Sequence, residues 1–224
     1  MTTRATSPDH SLIGRILPPQ VCHAEAYHDV PESTLFPEEQ ALLLRAGPKR
    51  RREFTTVRAC ARQALAQLGV APAPILPGPG RAPAWPAGVV GSMTHCAGYR
   101  AAAVASRNLL LSLGIDAEPA LPLPRGVLGM VASAAETAHL AALAEDDPAV
   151  PWDRLLFCAK EAVYKAWFPV TGRWLGFADA DVRIRPDGTL TAGLVTPTPT
   201  MPARLDGCWL ASYGLLLATV TVPV

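Results

Sequence analysis

Two carboxylates stand two residues apart in the segment Leu113-Gly114-Ile115-Asp116-Ala117-Glu118-Pro119. The residues before them are apolar and Pro119 biases Glu118 towards extended backbone. Both acids therefore close a strand and, with a side-chain period of two, point to the same side of it. Neighbouring carboxylates repel, so the pair suits a hard cation or forces one member to take up a proton; the alternative is a solvated strand end. A third acid, Glu161, lies in Phe157–Trp167 (FCAKEAVYKAW), four residues before Lys165. At that spacing Glu161 and Lys165 share a helix face. They form either a surface ion pair or, if they meet Asp116 and Glu118, an oxygen-only site for Mg2+ beside a cation for phosphate.

Two further clusters carry chemistry. Gly91–Gly98 (GSMTHCAG) places two hydroxyls, an imidazole and a thiol near a strand end. Ser92, His95 and Asp116 are the residue types of a hydrolase triad, which makes an esterase one reading and an inert core histidine another, but no GxSxG elbow surrounds Ser92. Lys49, Arg50, Arg51 and Arg52, with Arg58 and Arg62, form a basic stripe; it is a solvated face or a phosphate-binding one, since the guanidinium fork matches phosphate. On a straight helix Arg51, seven residues before Arg58, shares its face better than Arg50 does. Neither a Walker A loop nor a GxGxxG turn occurs, which argues against an ordinary P-loop or Rossmann enzyme.

The elements that must hold these residues show a repeated order. Gly47-Pro48 opens a helix over about 48–68 whose apolar positions Phe54, Val57, Ala61, Ala64, Leu65 and Leu68 recur at helical spacing until Gly69. Strand-like runs follow at Val89–Thr94, Tyr99–Ala105 and Leu110–Ile115. A second helix, about 152–168, has Leu156, Ala159, Val163, Ala166 and Trp167 on one side, and strands come after it at Ala180–Ile184, Cys208–Tyr213 and Leu215–Val222. Helix then strands, twice, predicts an α+β chain of two similar lobes. Proline clusters at 72–86, 119–124 and 197–202 mark connections, and the first 34 residues lack a period and are expected to be partly irregular.

Composition narrows the classes. A chain of 224 residues with 50% hydrophobic and only 17% charged residues can bury a core without staples. Its 20 basic and 19 acidic residues leave no global field for nucleic acid or anionic membrane, so anion recognition must be local. No apolar run approaches the ~20 residues of a bilayer span. The five cysteines are scattered without metal spacing and fit reduced thiols. A cytoplasmic protein is the expectation.

Taken together, Gly91–Gly98, Gly114–Pro119 and Phe157–Trp167 resemble the Sfp-type 4′-phosphopantetheinyl transferases, above all their actinobacterial branch. Lys49–Leu65 (KRRREFTTVRACARQAL), Trp85-Pro86 and Trp174-Leu175-Gly176-Phe177 join the resemblance, which spans roughly residues 35–180. It implies a pseudo-twofold enzyme of the holo-acyl-carrier-protein synthase type, with lobes at 1–118 and 119–224 and coenzyme A in the cleft between them. The reaction would move 4′-phosphopantetheine to a serine of acyl- or peptidyl-carrier proteins and release adenosine 3′,5′-bisphosphate, activating fatty-acid, polyketide or nonribosomal peptide synthesis. By resemblance Asp116, Glu118 and Glu161 hold Mg2+, with Mn2+ as a substitute. Arg50, Arg58, Ser92, His95, Lys160, Lys165 and Leu175 match coenzyme-contacting positions. Arg81 is the only cation of a loop in which relatives often carry lysines. Glu161 is the expected base, with Asp116 or a relaying water as alternatives and Lys165 beside it. A monomer is implied, with no nucleic acid or membrane partner. A catalytically silent coenzyme A or carrier-binding protein is the competing class, although such a protein need not keep all three acids. Ala120–Leu128, next to the acids, mixes apolar residues with Arg125 and is either a docking surface for the carrier or a linker.

Overall fold

The computed structural model describes residues 11–224. In chain order these form β1 (Cys22–Ala26), α1 (Pro37–Ala41), α2 (Pro48–Gln67), β2 (Val89–Cys96), β3 (Tyr99–Ser106), β4 (Leu110–Pro119), α3 (Leu128–Val131), α4 (Ala134–Asp146), α5 (Trp152–Thr171), β5 (Ala180–Ile184), β6 (Thr189–Leu194), β7 (Arg204–Ser212) and β8 (Leu215–Pro223). The strands make two antiparallel sheets, one of three strands ordered β1-β3-β2 and one of five ordered β4-β8-β7-β6-β5. Each sheet carries one helix of 20 residues, α2 on the first and α5 on the second. This is the α+β, two-lobed arrangement expected from the order of periods.

Alternation along β3 and β4 divides the core. Ala102 and Val104 face α2 with Cys60, Ala61, Ala64 and Leu65, whereas Ala101, Ala103 and Ala105 turn the other way and meet Leu113, Ile115 and Ala117 of β4 and Leu215 and Leu217 of β8. That second cluster crosses from one sheet to the other. It is closed by Leu12, Ile13, Leu17 and Val21, anchored through Glu25, which accepts from the Leu12 and Ile13 amides and from the Tyr99 hydroxyl. The expectation of partly irregular chain over residues 1–34 is met by short turns and by β1 within the described part; residues 1–10 lie outside it.

The sheets meet edge to edge at β2 and β4, joined by side chains in place of a backbone ladder. Ser92 Oγ accepts from the Ile115 amide (3.1 Å) and Thr94 Oγ1 from the Ala117 amide (3.0 Å). Because β4 is laddered to β8 over nearly its whole length, it belongs by hydrogen bonding to the five-stranded sheet, and a boundary at 118/119 cuts its last pair of residues. Helix α5 lies unusually close to β4. A Cβ on Gly114 would stand 1.9 Å from the Ala162 carbonyl oxygen, and Ser112 Oγ donates to the Ala166 carbonyl at 2.7 Å. The bare glycine thus lets the helix settle on the strand that ends in the two acids.

Candidate active site

Helix α5 buries Leu155, Leu156, Ala159, Ala162, Val163 and Ala166 against the five-stranded sheet, which leaves Arg154, Glu161 and Lys165 on the stripe above the end of β4. Lys165 Nζ donates to Asp116 Oδ1 at 2.7 Å and to the Ile115 carbonyl at 3.2 Å. The same carboxylate oxygen accepts from Thr94 Oγ1 at 3.0 Å. The other oxygen, Oδ2, is buried and has no hydrogen-bond partner among the described residues. Arg154 Nη1 donates to Glu118 Oε2 at 3.1 Å. Each acid of β4 is therefore matched by one cation of α5.

Burial and crowding of like charge raise the affinity of Glu118 and Glu161 for protons. Burial first, then Asp116, push Glu161 above the ordinary carboxylate value, with Lys165 opposing. Glu118 moves up for the same two reasons, against Arg154 and Lys165. Burial is the largest single influence on Lys165 and would lower it, but Asp116, their hydrogen bond and Glu161 together raise it, so its ammonium is secure. Glu161 accepts no side-chain hydrogen bond among the described residues.

Asp116 and Glu161, with Lys165, form one wall of a cleft of about 410 Å³ between the sheets. Arg50, Arg58, Arg81, Ser92, Thr94 and His95 line it together with Asp116, Glu161, Lys165, Tyr164 and Phe168. Arg50 Nη1 donates to His95 Nε2 at 3.0 Å, which requires a neutral acceptor nitrogen there. Burial, then the neighbouring cations Arg50, Lys165 and Arg100, hold the imidazole below its usual value against the pull of Glu53. Arg58 is buried, its guanidinium carbon 3.2 Å from the Phe54 ring centroid and its Nε donating to the Ile75 carbonyl. Burial, the main cause, lowers Arg58 to about 10 with Glu39 resisting, so it is still a cation at neutral pH. Arg81 has a left-handed backbone (φ 66°) in the loop below Gly80, over which Phe168 packs.

The structure thus gathers Arg50, Arg58, Arg81, Ser92, His95, Asp116, Glu161 and Lys165. Glu118 stands at the rim with Arg154. Two expected coenzyme contacts are placed elsewhere. Lys160 is buried, with its three N–H groups directed to Glu136 Oε2 (2.8 Å) and the carbonyls of Val131 and Phe177. Its neighbour Glu161 faces the cleft because adjacent residues on a helix point about 100° apart. Leu175 packs against the core cluster around α5. Arg51, favoured by straight-helix phase, turns outward to Glu32 and the Leu43 carbonyl, while Arg50 is the one that meets His95. No hydrogen bond among the described residues links Ser92 with His95 or His95 with Asp116, and Ser92 is spent on the Ile115 amide, so the esterase constellation is not assembled. Sequence reasoning missed Thr94 and Arg154. The signals were present: Thr94 is one strand period from Ser92, and Arg154 is two helical turns before Glu161.

Comparison with known proteins decides the family. The model for the "4'-phosphopantetheinyl transferase N-terminal domain" matches residues 38–105 and that for the "4'-phosphopantetheinyl transferase superfamily" matches residues 112–212. The chain is 51% identical to the 4′-phosphopantetheinyl transferase Svp of Streptomyces mobaraensis, covering 94% of this chain and 89% of that one. It is 47% identical to PptT of Mycobacterium tuberculosis (95% and 98% covered) and 44% identical to Npt of Nocardia iowensis (93% and 99%), both also 4′-phosphopantetheinyl transferases. The chain belongs to the 4′-phosphopantetheinyl transferases. Enzymes of this family move 4′-phosphopantetheine from coenzyme A to carrier proteins, so the chain is a transferase with coenzyme A as co-substrate. No helix among the described residues of the transferase is long and apolar enough to cross a membrane.

Proposed function

We propose that this transferase works as a monomer in the cytoplasm on acyl- and peptidyl-carrier proteins of fatty-acid, polyketide or nonribosomal peptide synthesis, with Asp116, Glu161 and Glu118 as its Mg2+ carboxylates. The observation that carries the metal reading is the buried Oδ2 of Asp116 without a hydrogen-bond partner, between two acids whose proton affinity is raised. A carboxylate oxygen buried in that state costs free energy unless a cation or donor meets it. Among the described residues no three His, Cys, Asp or Glu side chains stand close enough to hold an ion unaided. Asp116, Glu118 and Glu161 would therefore have to draw together to hold one ion, with substrate phosphates and water completing the shell as is usual for Mg2+. Mn2+ fits the same donors. When bound, the ion would neutralise diphosphate charge as a Lewis acid. Five free thiols support a reducing compartment.

The chain's own residues divide the remaining work. Arg50, Arg58 and Arg81 offer guanidinium forks to the phosphates of coenzyme A, and the neutral ring of His95 fixes Arg50. Lys165 holds Asp116 and places a cation beside the diphosphate. The carrier serine oxygen attacks the β-phosphorus. Its bond to phosphorus forms as the bond to the departing adenosine 3′,5′-bisphosphate breaks, and the serine proton passes to a carboxylate. Glu161 is the base we favour: its affinity for protons is raised and it carries no hydrogen bond, whereas Asp116 Oδ1 already accepts two.

Intact-mass analysis tests this directly. Apo acyl-carrier and apo peptidyl-carrier proteins incubated with the enzyme, coenzyme A and Mg2+ should each gain one phosphopantetheine, EDTA should stop the gain, and Mg2+ or Mn2+ should restore it. Full turnover in chelator would remove the metal assignment. Coenzyme A binding with no mass gain on any carrier would favour the silent binding protein instead.

A further inference from the structure

Beyond Glu118 the chain leaves the cleft through Pro119–Pro124, and two consecutive residues in the first turn of α5 hold that segment. Asp153 Oδ2 accepts from the Leu123 amide at 2.9 Å. Arg154 Nε donates to the Leu121 carbonyl and Nη2 to the Pro122 carbonyl, each at 3.1 Å, while Nη1 donates to Glu118 at 3.1 Å. One planar guanidinium therefore ties an acid of the site to the backbone beside it. The Arg154 side chain is 18% exposed and that of Glu118 20%, so the pair is partly shielded and worth more than a surface ion pair. The Leu121 side chain, on the outside of the same turn, is 62% exposed. An exposed leucine thus stands on a polar-tethered rim beside the acids.

We propose that Asp153 and Arg154 form a positioning clamp for the carrier step. The clamp sets the rim 119–123 in the shape that receives the carrier and aims Glu118 at the same time, so that docking and the acids are coupled through one side chain. Arg154 is a positioning residue, because it lines no part of the coenzyme cleft and acts through Glu118 and the rim. The proposal rests on the transferase reading above. Lysine cannot replace arginine here: a single ammonium can stay beside Glu118 but cannot span Leu121, Pro122 and the carboxylate together.

The experiment uses the full chain as wild type, Arg154→Ala, Arg154→Lys and Asp153→Ala. Steady-state transfer is measured with carrier and coenzyme A varied separately, and amide hydrogen exchange is measured without coenzyme or metal. Arg154→Ala should lower kcat, because Glu118 is no longer aimed, and raise the KM for carrier roughly tenfold or more, the scale of a lost charge-assisted hydrogen bond, with little change in the KM for coenzyme A. Exchange should quicken at Leu121 and Leu123. Arg154→Lys should recover part of kcat but not the carrier KM. Asp153→Ala, which removes only the Leu123 tether, should give a smaller rise in the same KM, and it decides the matter if Arg154→Ala does not fold. An unchanged carrier KM in an active enzyme, or an equal rise in both KM values, overturns the clamp while leaving the transferase assignment intact. A wild-type enzyme that modifies no carrier defeats the assignment itself.

Discussion

Glu161 and Arg50 show how burial and neighbours, more than residue type, assign roles at the level of single side chains. Glu161 lies near Asp116 and Lys165, with its proton affinity raised by burial and by Asp116. Its folded form binds protons more tightly than the unfolded chain does, so the protonated acid is tolerated at low pH and stability falls as pH rises through the elevated folded value. Glu161→Gln should therefore flatten that decline above about pH 4.5, the ordinary value from which Glu161 is raised, and melt no lower than wild type at neutral pH. It should also cut kcat by roughly 10²–10⁴, the usual worth of a general base. Melting curves across pH set beside single-turnover rates check both; a variant that keeps its rate removes Glu161 as the base. For the arginines, Arg50 reaches the cleft and Arg51 does not. Arg50→Ala should weaken coenzyme A binding about tenfold by calorimetry, with little loss of stability because the residue is exposed. Arg51→Ala should leave that affinity alone and lower the melting temperature only slightly, through its lost bonds to Glu32 and Leu43. The reverse pattern would restore the assignment that straight-helix phase suggests.

Between elements, the decisive distance is that of α5 from β4, set by Gly114. Gly114→Ala puts a methyl carbon against backbone of α5, at 1.9 Å from the Ala162 oxygen and 2.7 Å from the Ala166 nitrogen. No rotamer relieves a clash with backbone. The helix must move, at about 1–3 kcal/mol, and carry Glu161 and Lys165 away from Asp116. Activity should fall further than stability. A Gly114→Ala enzyme with wild-type kcat would mean that the site tolerates displacement of the helix. The same elements explain what the sequence could and could not disclose. The two long helices and most strands were legible because a buried face repeats at 3.6 or 2 residues. Helix α4 was missed because its buried face offers only two large apolar residues, Leu140 and Leu143, beside the acid Glu136, although Ser133 and Glu136 form a capping box at its start. Strand β6 (TLTAGL) was missed because it is short and its inward positions, Leu190, Ala192 and Leu194, include only two large apolar residues, despite the Asp187-Gly188 turn before it. Missing α4 had a chemical consequence. Its Glu136 captures Lys160 and also accepts from the Val182 and Ser133 amides, so a lysine that resemblance placed on the coenzyme is buried in a structural network. No local pattern around Lys160 announces a carboxylate 24 residues away.

For the whole molecule the question is what makes two lobes one enzyme. The cleft is lined by α2 and β2 on one side and by β4 and α5 on the other, so it can serve as the proposed coenzyme site only if the sheets keep their register. The shared apolar cluster supplies cohesion but is non-directional. Direction comes from Ser92 and Thr94, one strand period apart on β2, meeting the Ile115 and Ala117 amides with the same offset on β4. Thr94 is the more informative of the two because its hydroxyl also donates to Asp116, linking lobe register to the acid that would hold the metal. Thr94→Val keeps the shape, leaves the Ala117 amide unpaired in a buried place and removes one donor from Asp116, at about 1–3 kcal/mol. Thr94→Ser keeps the hydroxyl and should lose far less. The thermal stabilisation produced by saturating coenzyme A reads the junction separately from intrinsic stability, because a ligand held by both lobes stabilises only the registered state. That increment should shrink in Thr94→Val and return in Thr94→Ser. If Thr94→Val melts at the wild-type temperature and keeps the full coenzyme increment, the apolar cluster alone holds the lobes in register, and the hydroxyl bridge has no part in building the cleft.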